Sequence, residues 1–227
     1  MNLLKKIFRT HKKTSYSQSG EDLIVEFIFE AIKIKHPTYM DIGANHPVYM
    51  NNTYLLYSRG CSGICIEPDP TLFKALKNKR SRDNCLNIGV GLSEQKSADF
   101  YVMSTKTLNT FSKEEAERYQ SYGKNRIEQV IPIPLVPINS VIAQHCTNKP
   151  NFISLDVEGM DLQILKTLDL SIWRPEVFCI ETLTYTENNA EAKINEIIDY
   201  MLANGYMLYA DTYINSIFVD KTKWTNR

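Results

Sequence analysis

Five carboxylates and one imidazole stand at positions where a chain could do chemistry. Asp41-Ile-Gly-Ala-Asn45 reads as a strand running into a glycine turn, and Glu67 ends the next predicted strand. In an open parallel sheet, ligands bind beyond the C-terminal strand ends, near the switch in strand order. Gly43 lets a ligand approach the backbone, and a carboxylate at Glu67 can accept hydrogen bonds from both hydroxyls of a ribose. Together these residues point to an adenosine-containing cofactor. Asp156 and Glu158 end a later strand and Glu181 the one after it. Alternation puts Asp156 and Glu158 on one face if that strand stays extended. Such a pair can share a proton, which raises one pKa, or hold a divalent cation such as magnesium, with Glu181 as a third oxygen ligand. His46, with an ordinary pKa of ~6.5, is a further candidate base. Each residue also has a structural reading. Asp156 and Glu158 could cap the following helix, His46 could hydrogen-bond within its loop, and Gly43 would serve the turn without any cofactor.

The elements that must position these residues alternate between helix and strand, the pattern of an α/β protein with a parallel sheet and helices on its faces. Ser19-x-x-Asp22 has the form of a capping box opening a helix to about residue 35, before Pro37. Strands are predicted at 38–42, 63–66, 85–90, 98–103, 152–157 and 176–180, and helices at 52–59 and 72–79. Ser112-x-x-Glu115 opens another helix, which ends near Gly123. Residues 128–138 alternate apolar positions with Pro132, Pro134 and Pro137, which predicts an edge strand. Leu162, Leu165 and Leu168 mark a short helix. Ala190, Ile194, Ile197, Ile198, Met201 and Leu202 mark a longer one that ends at Asn204 and Gly205. Residues 206–210 and 216–219 read as a closing hairpin. The irregular stretch at about 104–138 suits an acceptor-binding insertion or lid, with Tyr119 and Tyr122 as acceptor-site candidates.

Two cofactors fit a glycine turn followed by an acidic strand end. A dinucleotide fold uses G-x-G-x-x-G to seat a pyrophosphate on a helix tip. Here Asn45 and Val48 replace the later glycines, and Pro47 disturbs the start of a helix. S-adenosylmethionine has no phosphate and needs no such nest, so it is favoured over NAD.

The motifs Tyr16-Ser-Gln-Ser-Gly-Glu-Asp-Leu23, Asp41-Ile-Gly-Ala-Asn45, Asn52-Thr53, Gly63-Ile-Cys-Ile-Glu-Pro68 and Leu155-Asp-Val-Glu-Gly159 occur in this order. Taken together they resemble those of the FkbM-type methyltransferases, a family of class I S-adenosylmethionine-dependent enzymes. The resemblance runs from about residue 16 to 219. It implies a Rossmann-like, seven-stranded, mostly parallel sheet with an antiparallel last strand. It implies that Asp41, Gly43 and Asn45 line the methionine side of the cofactor and that Glu67, followed by Pro68, holds the ribose. The turn at Gly89 and Val90 should lie near the adenine, and Gln18 should reach the cofactor from the N-terminal segment. His46 and Pro47 stand where many relatives have an acidic residue and glycine, which marks a different acceptor. The family association is O-methylation of a sugar hydroxyl, in a glycan, glycolipid or nucleotide sugar. Another acceptor, such as an amino group, is an alternative, as is a non-catalytic Rossmann-like domain that binds a cofactor or partner.

Composition sets the outer limits. The 227 residues carry 26 basic and 26 acidic side chains, so the formal net charge is zero and a nucleic-acid-wrapping role is disfavoured. Hydrophobic residues are 43% and charged residues 23%, as in ordinary globular chains. Five cysteines without paired metal-site spacing read as reduced thiols in a cytoplasmic protein. Residues 1–15 form a basic amphipathic segment, and 16–227 a single methyltransferase domain. Leu3, Leu4, Ile7 and Phe8 between Lys5, Lys6 and Arg9 make no signal peptide. They suit either a solvated start or weak docking at the inner face of an anionic membrane. The oligomeric state leaves no mark in the sequence.

Overall fold

The computed structural model describes residues 12–93, 95–157, 159–184 and 191–227. Glu158, Ala190 and the first eleven residues of the basic segment lie outside them. The described helices are α1 (Glu21–Ala31), α2 (Tyr54–Ser58), α3 (Pro70–Lys79), α4 (Lys113–Ser121), α5 (Ile138–His145), α6 (Asp161–Thr167), α7 (Asn195–Ala203) and α8 (Lys221–Thr225). The strands are β1 (Tyr39–Ile42), β2 (Gly63–Ile66), β3 (Asn84–Leu86), β4 (Gly89–Gly91), β5 (Gln95–Met103), β6 (Ile127–Pro137), β7 (Phe152–Leu155), β8 (Val177–Glu181), β9 (Tyr206–Asp211) and β10 (Asn215–Asp220).

Seven strands form one sheet in the order β3-β2-β1-β7-β8-β10-β9. All neighbours are parallel except β10, which runs antiparallel to both β8 and β9. The strand order therefore reverses between β1 and β7, and their C-terminal ends frame the switch point. Short, fully buried strands such as Tyr-Met-Asp-Ile at β1 are what a sheet covered on both faces requires. Alternation sends Met40, Ile42, Ile153 and Leu155 into one core cluster, beneath α5, α6 and α7. Tyr39, Cys65, Phe152 and Cys179 go into the other, beneath α1 and α2. Asp41 shares the second face with its neighbour in register, Ser154.

Between β3 and α5 the chain builds a second sheet in the order β4-β6-β5. Its small core is Phe100, Val102 and Ile133, and α4 adds another with Met103, Leu108, Ala116 and Tyr119. Tyr119 is 1% exposed, so it packs this insertion rather than facing an acceptor.

Several sequence expectations are corrected. Ser19 does not cap α1. The carboxylate of Asp22 instead accepts from Ser15 Oγ, Tyr16 N, Ser17 Oγ and Leu23 N, and Gly20 takes the N-cap position with φ of 93°. The helix ends at Ala31, short of residue 35. The strand expected at 85–90 is two strands in different sheets, β3 and β4. The proline-rich β6 is the central strand of its sheet. It tolerates Pro132 and Pro134 because β4 pairs only with Leu135 to Pro137, leaving the earlier prolines with β5 alone as neighbour. Helix α5 follows Pro137 directly and escaped notice behind the prolines, although Ile138, Val141 and Ile142 have helical spacing. Ser112 does cap α4, accepting from Glu115 N.

Candidate functional site

A cleft with two lobes opens over the switch point, and Gly43 and Asp156 line both lobes. The first lobe, about 500 Å³, is walled by Ile66, Glu67, Pro68, Val90, Phe100, Asn109, Thr110, Phe111, Val157 and Met160 among others. The second is wider and open, and includes Gln18, Asn45, His46, Tyr49, Lys106, Glu181 and Tyr213.

The turn after β1 is held for close approach. Gly43 has φ of 81°, and a Cβ there would stand 1.8 Å from the Asp156 carbonyl oxygen. No side chain fits, so β1 and β7 end edge to edge. Gly43 N and Ala44 N both donate to Ile66 O, and Asp156 N donates to Ile42 O. These bonds stitch the three strand ends together.

Glu67 is buried at the junction. Its Oε2 accepts from Asn45 N and its Oε1 from Asp69 N, each at 2.8 Å. Burial pushes its pKa up to about 8, against the pull of those two amides, and Asp69 and Asp41 add to the rise. A carboxylate fixed on two sides in a pocket keeps its other lone pairs for ligand donors. The residues therefore fit an adenosine-containing cofactor: a turn without a side chain, a fixed acceptor, and an apolar lobe of Val90, Phe100, Phe111 and Met160 beside it.

Asp41 does not line the cleft. It lies on the α2 side of the sheet, where it accepts from Thr53 Oγ1 at 2.7 Å and Asn51 Nδ2 at 3.1 Å. Burial raises its pKa, and those donors restrain the rise. Behind it sits Arg80, which is fully buried. Arg80 pairs with Asp83 at 2.7 Å and donates to Tyr39 Oη, Thr53 Oγ1, Asn51 Oδ1 and Pro47 O. This network fastens the 44–53 loop to the sheet, and removing one partner of such a buried pair costs ~3–5 kcal/mol. Arg80 was not singled out in the sequence, because a lone arginine carries no local signal of burial. Gly89 does not line the cleft either. A Cβ there would meet Phe111 Cζ at 2.3 Å, so this glycine lets Phe111 close over the first lobe.

Asp156 is exposed in the cleft and opens into both lobes. The protein packed around it pushes its pKa up to about 6, a hydrogen bond with Glu181 opposes the shift, and the charge of Asp41 adds to it. Strand β7 stops at Leu155, so the alternation argument for Asp156 and Glu158 does not apply. Asp156 pairs with Glu181, at the end of the adjacent strand β8. Below them Asp161, also missed in the sequence, accepts from Val157 N at 3.2 Å and folds the loop back onto α6. Its burial and the nearby Asp156 push its pKa up to about 7. Among the described residues no group of three or more His, Cys, Asp or Glu is arranged to hold a metal ion. The proposed donors Asp156 and Glu181 bond to one another, and Glu158 lies outside the described residues.

His46 lines the second lobe, but its Nδ1 accepts from Tyr49 N at 2.8 Å and Val48 N at 3.2 Å. An Nδ1 acceptor puts the proton of the neutral ring on Nε2, so the exposed nitrogen donates and His46 is not disposed as a base.

A 3₁₀ turn at Lys106–Leu108 spans the boundary between the lobes. Asn45 Nδ2 donates to Lys106 O, and Asn109 Nδ2 donates to Asp69 Oδ2, both at 3.2 Å. The insertion is thus strapped to both turns that hold Glu67.

Seven strands in this order, one antiparallel, with a glycine turn and an acidic strand end at the switch point, define the class I methyltransferase architecture. The model of the Methyltransferase FkbM domain matches residues 41–208, and the chain belongs to that family of S-adenosylmethionine-dependent methyltransferases. A search of curated protein sequences finds no match. Among solved structures the chain is similar to a TehB-like SAM-dependent methyltransferase from Corynebacterium glutamicum, at 8% identity and TM-score 0.47, covering 96% of this chain and 94% of that one. It is also similar to an O-methyltransferase from Bacillus cereus in complex with SAH, at 10% identity and TM-score 0.44, covering 96% and 86%. A third is a 1,6-didemethyltoxoflavin-N1-methyltransferase from Burkholderia thailandensis, at 9% identity and TM-score 0.44, covering 89% and 77%. At these values the likenesses add nothing to the family match.

Proposed function

We propose that the protein transfers a methyl group from S-adenosylmethionine to a hydroxyl of a sugar, with Asp156 as the base. The observation that carries this reading is the carboxylate of Asp156, with its pKa of about 6, on the wall common to both lobes. When bound, S-adenosylmethionine supplies a methyl group activated by a positively charged sulfur. Glu67 accepts the two ribose hydroxyls, and Val90 and Phe111 border the adenine. Gly43 leaves room for the methionine portion. Asp156 takes the proton of the acceptor hydroxyl, and Glu181 holds the Asp156 carboxylate in place. An alcohol is a poor nucleophile while it keeps its proton, so this base is the chain's main chemical contribution. The strap from Lys106 to Asn109 ties the insertion across the boundary of the two lobes.

An acceptor hydroxyl keeps its proton at neutral pH, and the carboxylate pair of Asp156 and Glu181 beside the lobe supplies a group to take it. A cytoplasmic location agrees with five free thiols, and no described helix is long and apolar enough to cross a membrane. The test is incubation with methyl-labelled S-adenosylmethionine and a mixed glycan fraction, followed by acid hydrolysis and sugar analysis. Label in an O-methyl sugar is expected. Label confined to amino groups or to acid-labile esters would overturn the reading.

A further inference from the structure

We propose that Tyr49 and Tyr213 are the walls of the acceptor site and select an uncharged, hydroxyl-rich ring above Asp156 and Glu181. This proposal rests on the methyltransferase reading and deepens it. Both tyrosines line the second lobe with those carboxylates. These residues are 69% and 62% exposed, against the 0–8% of the core aromatics. Four described residues other than glycine have positive φ, and three of them, Asn45, Met50 and Tyr213, line this lobe. Backbone strain of that kind persists only where its surroundings enforce it, and it gathers at ligand clamps.

The enforcement is visible on both sides. Tyr213 has φ of 77°, and its N–H donates to Asp211 Oδ1 at 2.7 Å. Its turn is pinned to α1 by Thr212 Oγ1 and Asn215 Nδ2, which both donate to Glu21 Oε1. On the opposite side Tyr49 N donates to His46 Nδ1, Arg80 holds Pro47 O, and Asn51 N donates to Tyr16 O. Two exposed aromatic faces on rigid turns offer flat apolar area without paying to order a loop.

Charge narrows the ligand. Among the described lining residues the acidic ones are Asp156, Glu181 and Glu191, and the lysine at the rim, Lys106, is paired with Glu128 at 2.9 Å. An anionic ring would meet like charge here. A neutral sugar ring places its C–H faces on the tyrosines and its hydroxyl donors toward the carboxylates.

The test uses the full chain loaded with S-adenosylhomocysteine on an array of neutral, uronic-acid and sulfated glycans, with phenolic glycosides included. Wild type should retain neutral glycans and reject the acidic ones. Tyr49→Ala and Tyr213→Ala should each lower retention at least tenfold. Tyr49→Phe and Tyr213→Phe should restore it, and all four variants should bind S-adenosylhomocysteine as wild type does by calorimetry. Tyr213→Gly, which relieves the positive φ, should lose glycan retention without a lower melting temperature. Retention of acidic glycans, preference for the phenol over the sugar, no retention of any glycan, or alanine variants that bind as wild type would each overturn the proposal. Failure of wild type to bind S-adenosylhomocysteine would instead remove the reading on which it rests.

Discussion

Glu67→Gln is expected to weaken S-adenosylhomocysteine binding by about 100-fold or more while the protein still folds. Each hydrogen bond to an ionised group contributes ~1.5–3 kcal/mol, and in the proposed complex two ribose hydroxyls meet this carboxylate. The same carboxylate sets a pH dependence. Its pKa is pushed up to about 8 in the free protein, from an ordinary 4.5. Hydroxyl donors stabilise the ionised form, so cofactor binding releases a proton, and affinity rises with pH until about 8 and then levels. The limiting slope below that point is about tenfold per pH unit. Stability runs the other way. The folded state holds this proton more tightly than the unfolded chain, so the associated stabilisation is full below about 4.5 and is lost as pH rises through about 8. Calorimetric titrations between pH 6 and 9 check both signs. An affinity independent of pH, or a Glu67→Gln variant with wild-type affinity, removes Glu67 from the ribose site.

Asp156→Asn is expected to lower turnover by about 10²–10⁴-fold, the usual contribution of a general base. Cofactor affinity should change only a few-fold, because this carboxylate faces the reacting centre rather than the ribose. In wild type, turnover should rise as pH climbs through about 6, where Asp156 loses its proton, and then reach a plateau. The limb belongs to the hydrogen-bonded pair with Glu181, so its midpoint is a property of both groups. Turnover at the wild-type level in the asparagine variant, with an identified acceptor, excludes Asp156 as the base.

Legibility in the sequence followed the range of the interactions. The glycine turn was readable because Gly43 answers a local backbone demand, and Glu67 because a strand end in an α/β sheet is itself a position. The closing hairpin followed from two apolar runs around a polar connection, and the antiparallel last strand from the family resemblance. Asp41 was placed in the cleft because its motif neighbours are there, yet alternation within Tyr39-Met-Asp-Ile already sends it to the opposite side from Ile42. Arg80, Asn51 and Thr53 form their network through contacts far apart in the chain, and no local spacing announces it. Glu181 as a direct partner of Asp156 is also a contact between distant parts of the chain. Strand β7 ends at Leu155, two residues earlier than expected, and the described partner of Asp156 comes from β8. Prolines in β6 pointed to an edge strand, and only the staggered pairing of β4 and β5 reveals how a central strand accommodates them.

The most direct measurement of the central claim is a calorimetric titration of the full chain with S-adenosylmethionine, S-adenosylhomocysteine and NAD, each with and without magnesium. The sulfur cofactors should bind with one site per chain, NAD should not, and the affinity should be the same with and without magnesium, since the proposed ribose and adenine contacts are made by Glu67 and by an apolar wall that includes Val90 and Phe111. Binding of NAD in preference to both sulfur cofactors would contradict the account, as would the absence of binding by either sulfur cofactor.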